Sequence, residues 1–169
     1  VPGVRAAAGI ALDGDGDRLV MVDHLGRAVD GDQLLYVMAS ARHSARTLQG
    51  PVVGTVMSNF GLELALTRAG ITLVRTAVGD RYLLERMLAD GYTFGGEQSG
   101  HIISTDYAPT GDGIAASLMV LRALAGRDLA GAKVMEKLPQ TLVNVAVAER
   151  EAIAGAKAVW DAVDAANSE

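Results

Sequence analysis

The sequence contains no cysteine, so neither a disulfide framework nor thiol chemistry is open to it. It also lacks any cluster of lysine and arginine, and its formal net charge is -5. Both argue against a nucleic-acid-binding face. No run approaches the roughly eighteen consecutive apolar residues of a membrane span, and no signal-peptide pattern opens the chain. Internal repeats and low-complexity tracts are missing too. What is present is a chain of 169 residues, 50% of them hydrophobic, which is ample for a packed core. A cytoplasmic protein of one domain, or one domain plus part of a neighbour, is expected. The chain opens VPGVRAAAG with no methionine, which points to processing or to a longer parent.

Along the chain, residues 9–12 and 19–23 are short apolar runs that predict two buried strands joined by a polar loop, followed by the turn HLGR at 24–27. Residues 31–46 carry apolar positions three and four apart and predict a helix, with Asp30 or Asp32 near its start. An alternation then sets in. VVGTV (52–56), ITLVRTAV (71–78) and YTFGG (92–96) read as strands. LELALTRA (62–69) and RYLLERMLAD (81–90) read as helices closed by Gly70 and Gly91. HIIST (101–105) extends or pairs with the third strand, and Thr110 is the expected cap of a helix through GDGIAASLMVLRALAG. LVNVAVA (142–148) reads as one more strand, and 151–166 as an alanine-rich helix. Strands alternating with helices in this way predict an α/β fold in three layers, a mostly parallel sheet with helices on both faces. In such sheets chemistry gathers beyond the carboxyl ends of the strands. Three loops fit that rule: DGDGDR, VGDR and GGEQSGH.

In the first loop Asp13, Asp15 and Asp17 alternate with glycine. Three like charges this close call for a counter-charge, and carboxylate oxygens suit a hard divalent cation such as magnesium or calcium. The plain alternative is a solvated acidic turn. An EF-hand does not fit, because counting from Asp13 its glycine and glutamate positions hold Arg18 and His24. A phosphatase DxDG loop of the haloacid-dehalogenase type fits as far as Gly16, but Asp17 would then crowd an incoming phosphate. Arg18 either clamps a phosphate beside the metal or simply neutralises the loop.

In GGEQSGH, Glu97 and Ser99 project alike and suit the vicinal hydroxyls of a sugar, while His101 is either a proton carrier near neutral pH or a hydrogen-bonded turn histidine. His24 and His43 read as structural. In VGDRY, Asp80 either caps the next helix or faces the cleft together with Arg81.

Taken in order and spacing, ALDGDGDR, TAVGDRYLLE, GGEQSGH and TGDG resemble the α-D-phosphohexomutase superfamily, and within it the bacterial phosphoglucosamine mutases. The resemblance runs from about Gly9 to Val147. It implies residues 1–30 as the end of that family's second domain with the metal loop, 31–140 as its third domain with the sugar loop, and 141–169 as a linker towards a fourth. It implies magnesium on Asp13, Asp15 and Asp17, Arg18 beside a phosphoserine, Glu97 and Ser99 on sugar hydroxyls, and His101, Asp80 and Arg81 near the substrate. The implied reaction interconverts glucosamine 6-phosphate and glucosamine 1-phosphate through a phosphoserine enzyme and a bisphosphate, supplying cell-wall precursors. A phosphomannomutase or phosphoglucomutase segment, a phosphatase, or a non-catalytic metal- and sugar-phosphate-binding module are the competing classes. Neither the family's phosphoserine loop nor its arginine-rich phosphate loop occurs here, so the chain by itself is expected to be inactive, and its N-terminal strands to be loosely ordered or to self-associate.

Overall fold

The structure is a computed structural model that describes residues 2–132, 135–149 and 151–168. It divides into two units, Val1–Pro139 and Gln140–Glu169. Among the described residues no helix is long and apolar enough to cross a membrane.

The first unit opens with a three-stranded antiparallel sheet, β1 (Ala8–Leu12), β2 (Leu19–Asp23) and β3 (Ala28–Val29), in that order. Leu12 pairs with Leu19, so β1 and β2 form a hairpin whose connection is the aspartate loop. The expectation of two buried strands holds for β2 only. Its Leu19, Met21 and Asp23 are buried while Val20 faces out. On β1, Ile10 and Leu12 remain 47% and 41% exposed. The reason is positional: among the described residues β1 is an edge strand with β2 as its one partner.

Helix α1 (Gly31–Ser44) follows. Asp30 is its N-cap, and Gln33 closes a capping box with it, which satisfies two of the amide donors a helix start leaves over. The second sheet has the order β5-β4-β6-β7, built from β4 (Val52–Thr55), β5 (Leu73–Thr76), β6 (Phe94–Gly96) and β7 (Ile102–Ser104). β4 is parallel to both β5 and β6, and β7 returns antiparallel on β6.

Strand alternation sorts the core into two sides. Val52, Phe94 and Ile102 face α1, α2 (Phe60–Arg68) and α4 (Gly113–Leu124), whose Leu34, Leu35, Leu62, Leu66, Ala116 and Val120 are all fully buried. Val53 and Ile103 face the opposite way, onto Leu83 and Met87 of α3 (Asp80–Asp90). Each such side chain contributes about 1.5–3 kcal/mol by leaving water. The expected three layers, with helices on both faces of a mostly parallel sheet, are therefore present.

Two expectations are corrected. The cap of α4 is Asp112, whose carboxylate accepts the Ala115 N–H at 2.9 Å, and not Thr110. Aspartate two residues nearer the helix simply has the right reach. Residues 142–148 form no strand: Leu142, Val143 and Val145 are 67%, 71% and 74% exposed. Their apolar alternation finds no ladder partner among the described residues, and alternation without a partner does not make a strand. The second unit consists of this segment, a 3-10 turn at Glu151–Gly155 and helix α5 (Lys157–Asn167). There the Trp160 indole N–H donates to the Ile153 carbonyl at 3.0 Å.

Candidate functional site

The polar loops named from the sequence meet at one end of the first unit. The aspartate loop is tied to the sugar-type loop by backbone: Leu19 N–H donates to the Gly100 carbonyl at 3.0 Å, and Arg18 bridges His101 in antiparallel fashion. Gly100 sits at φ +93°, and a Cβ there would lie 2.1 Å from the Leu19 carbonyl oxygen, so only glycine fits. The start of α4 closes the same corner, with Gly113 N–H donating to the Gly16 carbonyl at 2.8 Å. The VGDR loop joins through Gly79, whose N–H donates to Glu97 Oε1 at 2.9 Å. All four motifs thus share one locale, although they span a hundred residues of chain.

Within the aspartate loop, one carboxylate oxygen from each of Asp13, Asp15 and Asp17 falls within 4.8 Å of the others. Three hard anionic oxygens at this separation match the donor set of a magnesium-class cation. The loop's own cation, Arg18, reaches Asp13 and Asp17 with Nε at 3.7 Å, a distance for charge neutralisation rather than a hydrogen bond. Its side chain stays 56% exposed. Desolvation pushes the Asp13 carboxyl up, but the Arg18 backbone N–H, the Asp17 carboxyl and the Arg18 charge outweigh it, and the net result lies below the ordinary value. Asp17 Oδ1 is shielded from solvent and has no hydrogen-bond partner among the described residues. An anionic oxygen held this way is the kind of group that a bound cation satisfies.

His101 is 4% exposed, and its Nδ1 lies 3.0 Å from Asp17 Oδ2. An ionised carboxylate only accepts, so Nδ1 carries the proton. Its other ring nitrogen is buried without a partner among the described residues. His101 is thus held by the aspartate loop through this hydrogen bond. Sequence spacing gave no sign that its partner is an aspartate 84 residues away.

Glu97 and Ser99 do project together: Ser99 Oγ–H donates to Glu97 Oε2 at 3.2 Å. Asp80 opens α3 without acting as its cap. The cap position is Gly79, which has no side chain to offer, and Asp80 Oδ1 accepts the Arg81 N–H at 2.7 Å. Arg81 is 78% exposed and turned along the helix, its Nε donating to Glu85 at 2.7 Å. That carboxylate raises the guanidinium above its ordinary value.

One loop escaped the sequence reading. Residues 56–59, VMSN, follow the central strand β4 at the point where neighbouring strands diverge to β5 and β6. This is where ligand crevices form in open parallel sheets. The loop carries no charge and so gave no signal. It is fixed by Arg75, whose Nη1 donates to the Thr55 and Ser58 carbonyls at 3.1 and 2.8 Å.

Comparison with known proteins bears on this arrangement. The chain is 56% identical over 153 residues to the phosphoglucosamine mutase of Methylococcus capsulatus, which covers 89% of this chain and 34% of that protein. It is 54% identical over 168 residues to the phosphoglucosamine mutase of Thioalkalivibrio sulfidiphilus, covering 96% of this chain and 37% of that one. The chain thus spans about a third of the length of these curated relatives. The crystal structure of Aspergillus fumigatus N-acetylphosphoglucosamine mutase in complex with GlcNAc-6P and magnesium shares the fold, with a TM-score of 0.63 at 24% identity, over 83% of this chain and 38% of that chain. The family model for phosphoglucomutase/phosphomannomutase, alpha/beta/alpha domain III, matches residues 30–142, and the chain belongs to that family.

Proposed function

We propose that this chain is the portion of a phosphoglucosamine mutase that carries the metal loop and the sugar-binding loop, and that the whole protein interconverts glucosamine 6-phosphate and glucosamine 1-phosphate by way of an enzyme phosphoserine and a bisphosphate. The observation that carries this reading is convergence. The three aspartates, Arg18, Glu97 and Ser99 occupy one corner, tied by the Leu19–Gly100 and Gly79–Glu97 hydrogen bonds. The high identity to proteins named phosphoglucosamine mutase supports the choice of amino sugar.

Asp13, Asp15 and Asp17 would hold magnesium, which neutralises phosphate charge during transfer when bound. The remaining roles fall to the chain's own side chains. Arg18, more than half exposed, presents a planar fork to a phosphate oxygen. Glu97 accepts from sugar hydroxyls with the lone pairs left free by Gly79 and Ser99, and Ser99 turns its proton from Glu97 to the ligand. His101 acts through Asp17, donating from Nδ1 and fixing that carboxylate's orientation. Asp80 and Arg81 line the approach, and Arg81 joins a substrate contact only by leaving Glu85. Residues 1–30 would complete a metal-bearing domain, 31–140 form the sugar-bearing domain, and 141–169 lead towards a further one.

The test is an assay of the full-length parent on glucosamine 6-phosphate against glucose and mannose phosphates. A clear preference for the amino sugar is expected, with no turnover by the 169-residue chain. Preference for a neutral hexose phosphate would move the protein to the phosphoglucomutase/phosphomannomutase branch. Simple release of phosphate would overturn mutase chemistry.

A further inference from the structure

The first turn of α1 lies under the sugar-binding loop. Gly31 N–H donates to the Gln98 carbonyl at 3.0 Å, and a Cβ on Gly31 would meet the Glu97 carbonyl oxygen at 2.0 Å. The next residue, Asp32, is fully buried. Its Oδ2 accepts the Asn59 N–H at 2.7 Å. Asn59 is itself 1% exposed, and its amide grips the backbone of Leu138 from both sides: Nδ2 donates to the Leu138 carbonyl at 2.9 Å, and Oδ1 accepts the Leu138 N–H at 3.0 Å. The same Oδ1 accepts the Gly61 N–H at 2.9 Å and so starts α2. Around this chain, Asp30 pairs with Lys137, and the Glu136 carbonyl oxygen occupies the space a Cβ of Gly61 would take. A continuous path of short contacts therefore runs from residues 136–138, through Asn59 and Asp32, to the backbone of residues 97–100.

From this path we infer that Asp32 and Asn59 are positioning residues for substrate binding, which set the sugar-binding loop relative to the segment 136–138. The inference rests on the proposed function for what that loop binds.

The electrostatics separate this role from plain structural support. Burial raises the Asp32 carboxyl from 3.8 to about 6; the negative charge of Asp30 adds to the rise, while the Asn59 N–H, the Ser58 side chain and the Lys137 charge oppose it. At neutral pH the protein therefore holds a buried anion that a neutral side chain of the same shape would spare it. The anion makes a stronger hydrogen bond to Asn59 than an amide oxygen does. Rigid placement of Leu138 and of the loop is what that cost sustains, the usual exchange of stability for function at a site.

Substituting Asp32→Asn in the full-length parent tests this, because it parts stability from binding. At pH 7.5 the variant melts at a higher temperature than the unaltered protein. Its KM for glucosamine 6-phosphate rises about tenfold, the size of one charge-assisted hydrogen bond, with kcat little changed. The ratio of kcat/KM between the unaltered protein and the variant falls towards one as pH drops from 7.5 to 5, because Asp32 then takes up its own proton. Using the ratio cancels titration of the substrate phosphate. A KM that is unchanged, a ratio that is flat with pH, or stability and binding falling together would overturn the inference. A second readout needs no activity. In both Asp32→Asn and Asn59→Ser, the Gly31 amide exchanges with solvent about tenfold faster while the amides of β4 and β5 keep their rates. Uniform or absent change would also overturn it. If the parent turns over no hexose phosphate, the proposed function fails, and the exchange measurement still decides this point.

Discussion

Asp23 and Asp32 are equally remote from solvent, 1% and 0% exposed, and yet their carboxyls shift in opposite directions. Asp23 is the last residue of β2 and leads into the turn before β3. Its two oxygens accept the Leu25 N–H at 2.9 Å, the Arg27 N–H at 2.9 Å and the Arg27 guanidinium at 2.7 Å. Desolvation opposes ionisation there, but these donors and the arginine charge outweigh it, and the carboxyl ends below its ordinary value. At Asp32 desolvation and the Asp30 charge outweigh the Asn59 N–H, the Ser58 side chain and the Lys137 charge, and the carboxyl ends above its ordinary value. Burial alone does not decide how a carboxyl titrates; the count and charge of its donors do. The two regions also differ in reach. The Asp23 partners lie two and four residues away, whereas the Asp32 partner is 27 residues away, and Gly31 beside Asp32 ties on to the 97–100 loop. One turn satisfies itself, and the other ties distant segments together.

The sharpest way to break this comparison is Asp23→Asn, expected to have the largest effect on stability. The folded carboxyl ionises more readily than the unfolded one, so its contribution is complete above the ordinary carboxylate value and disappears as pH falls through the lower folded value. The substitution should lower the melting temperature by roughly 5–10 °C at pH 7. The difference should shrink steadily in acid. Asp32→Asn has the opposite sign: its folded carboxyl binds a proton until about pH 6 against 3.8 when unfolded, so the ionised group costs stability from that interval upward. Thermal melts of both variants between pH 4 and 8 should therefore diverge in opposite directions, and parallel curves would refute the contrast.

Gly31→Ala comes next. Its new Cβ would fall 2.0 Å from a backbone oxygen rather than from a flexible side chain, so the loop itself must shift. A loss of about 1–3 kcal/mol in urea unfolding is expected. The α1 turn and the 97–100 loop should both lose amide protection while the Asp23 turn keeps its own. Smaller again is His101→Phe, which preserves bulk but removes the donor to Asp17. Manganese affinity, followed by paramagnetic line broadening, should fall about 10-fold. Unaltered affinity would mean that His101 does not orient the metal loop.

The sequence makes the polar loops legible because their glycine spacing and charge are local signals. Asp13, Asp15, Asp17, Glu97 and Ser99 stood out as candidates without coordinates, and the structure brings their loops together. The layered core was legible for a similar reason: the doublets Val52–Val53 and Ile102–Ile103 sit in runs bounded by turns. What stayed hidden depends on partners far along the chain. Asp32 looked like one more residue at a helix start, since nothing local distinguishes a buried carboxylate from a solvated one in a first turn. The VMSN loop has no charge to mark it, and the partner of His101 emerged only when folding brought Asp17 beside it. The failed strand at 142–148 is the converse case, a strong local pattern with no distant partner to complete it.

The faintest test places an exposed carboxylate beside the two buried ones. Asp128 faces His24 Nδ1, with its two oxygens at 3.0 and 2.9 Å, and also accepts the Ala130 N–H at 3.1 Å. Its carboxyl lies below the ordinary value: desolvation and the nearby Asp23 charge raise it, but Ala130 and His24 together lower it further. Both partners of the ion pair are about 40% exposed, His24 at 43% and Asp128 at 41%. Solvent screens such a pair, and exposed pairs contribute little to folding. His24→Gln should therefore leave the urea midpoint at pH 8 almost unmoved. It should still shift the Asp128 titration, read by carboxyl carbon NMR, part of the way back towards its ordinary value, with the Ala130 N–H holding the remainder. If the Asp128 titration did not move, the donor count that separates Asp23 from Asp32 would not extend to the surface, and burial would have to enter the rule after all.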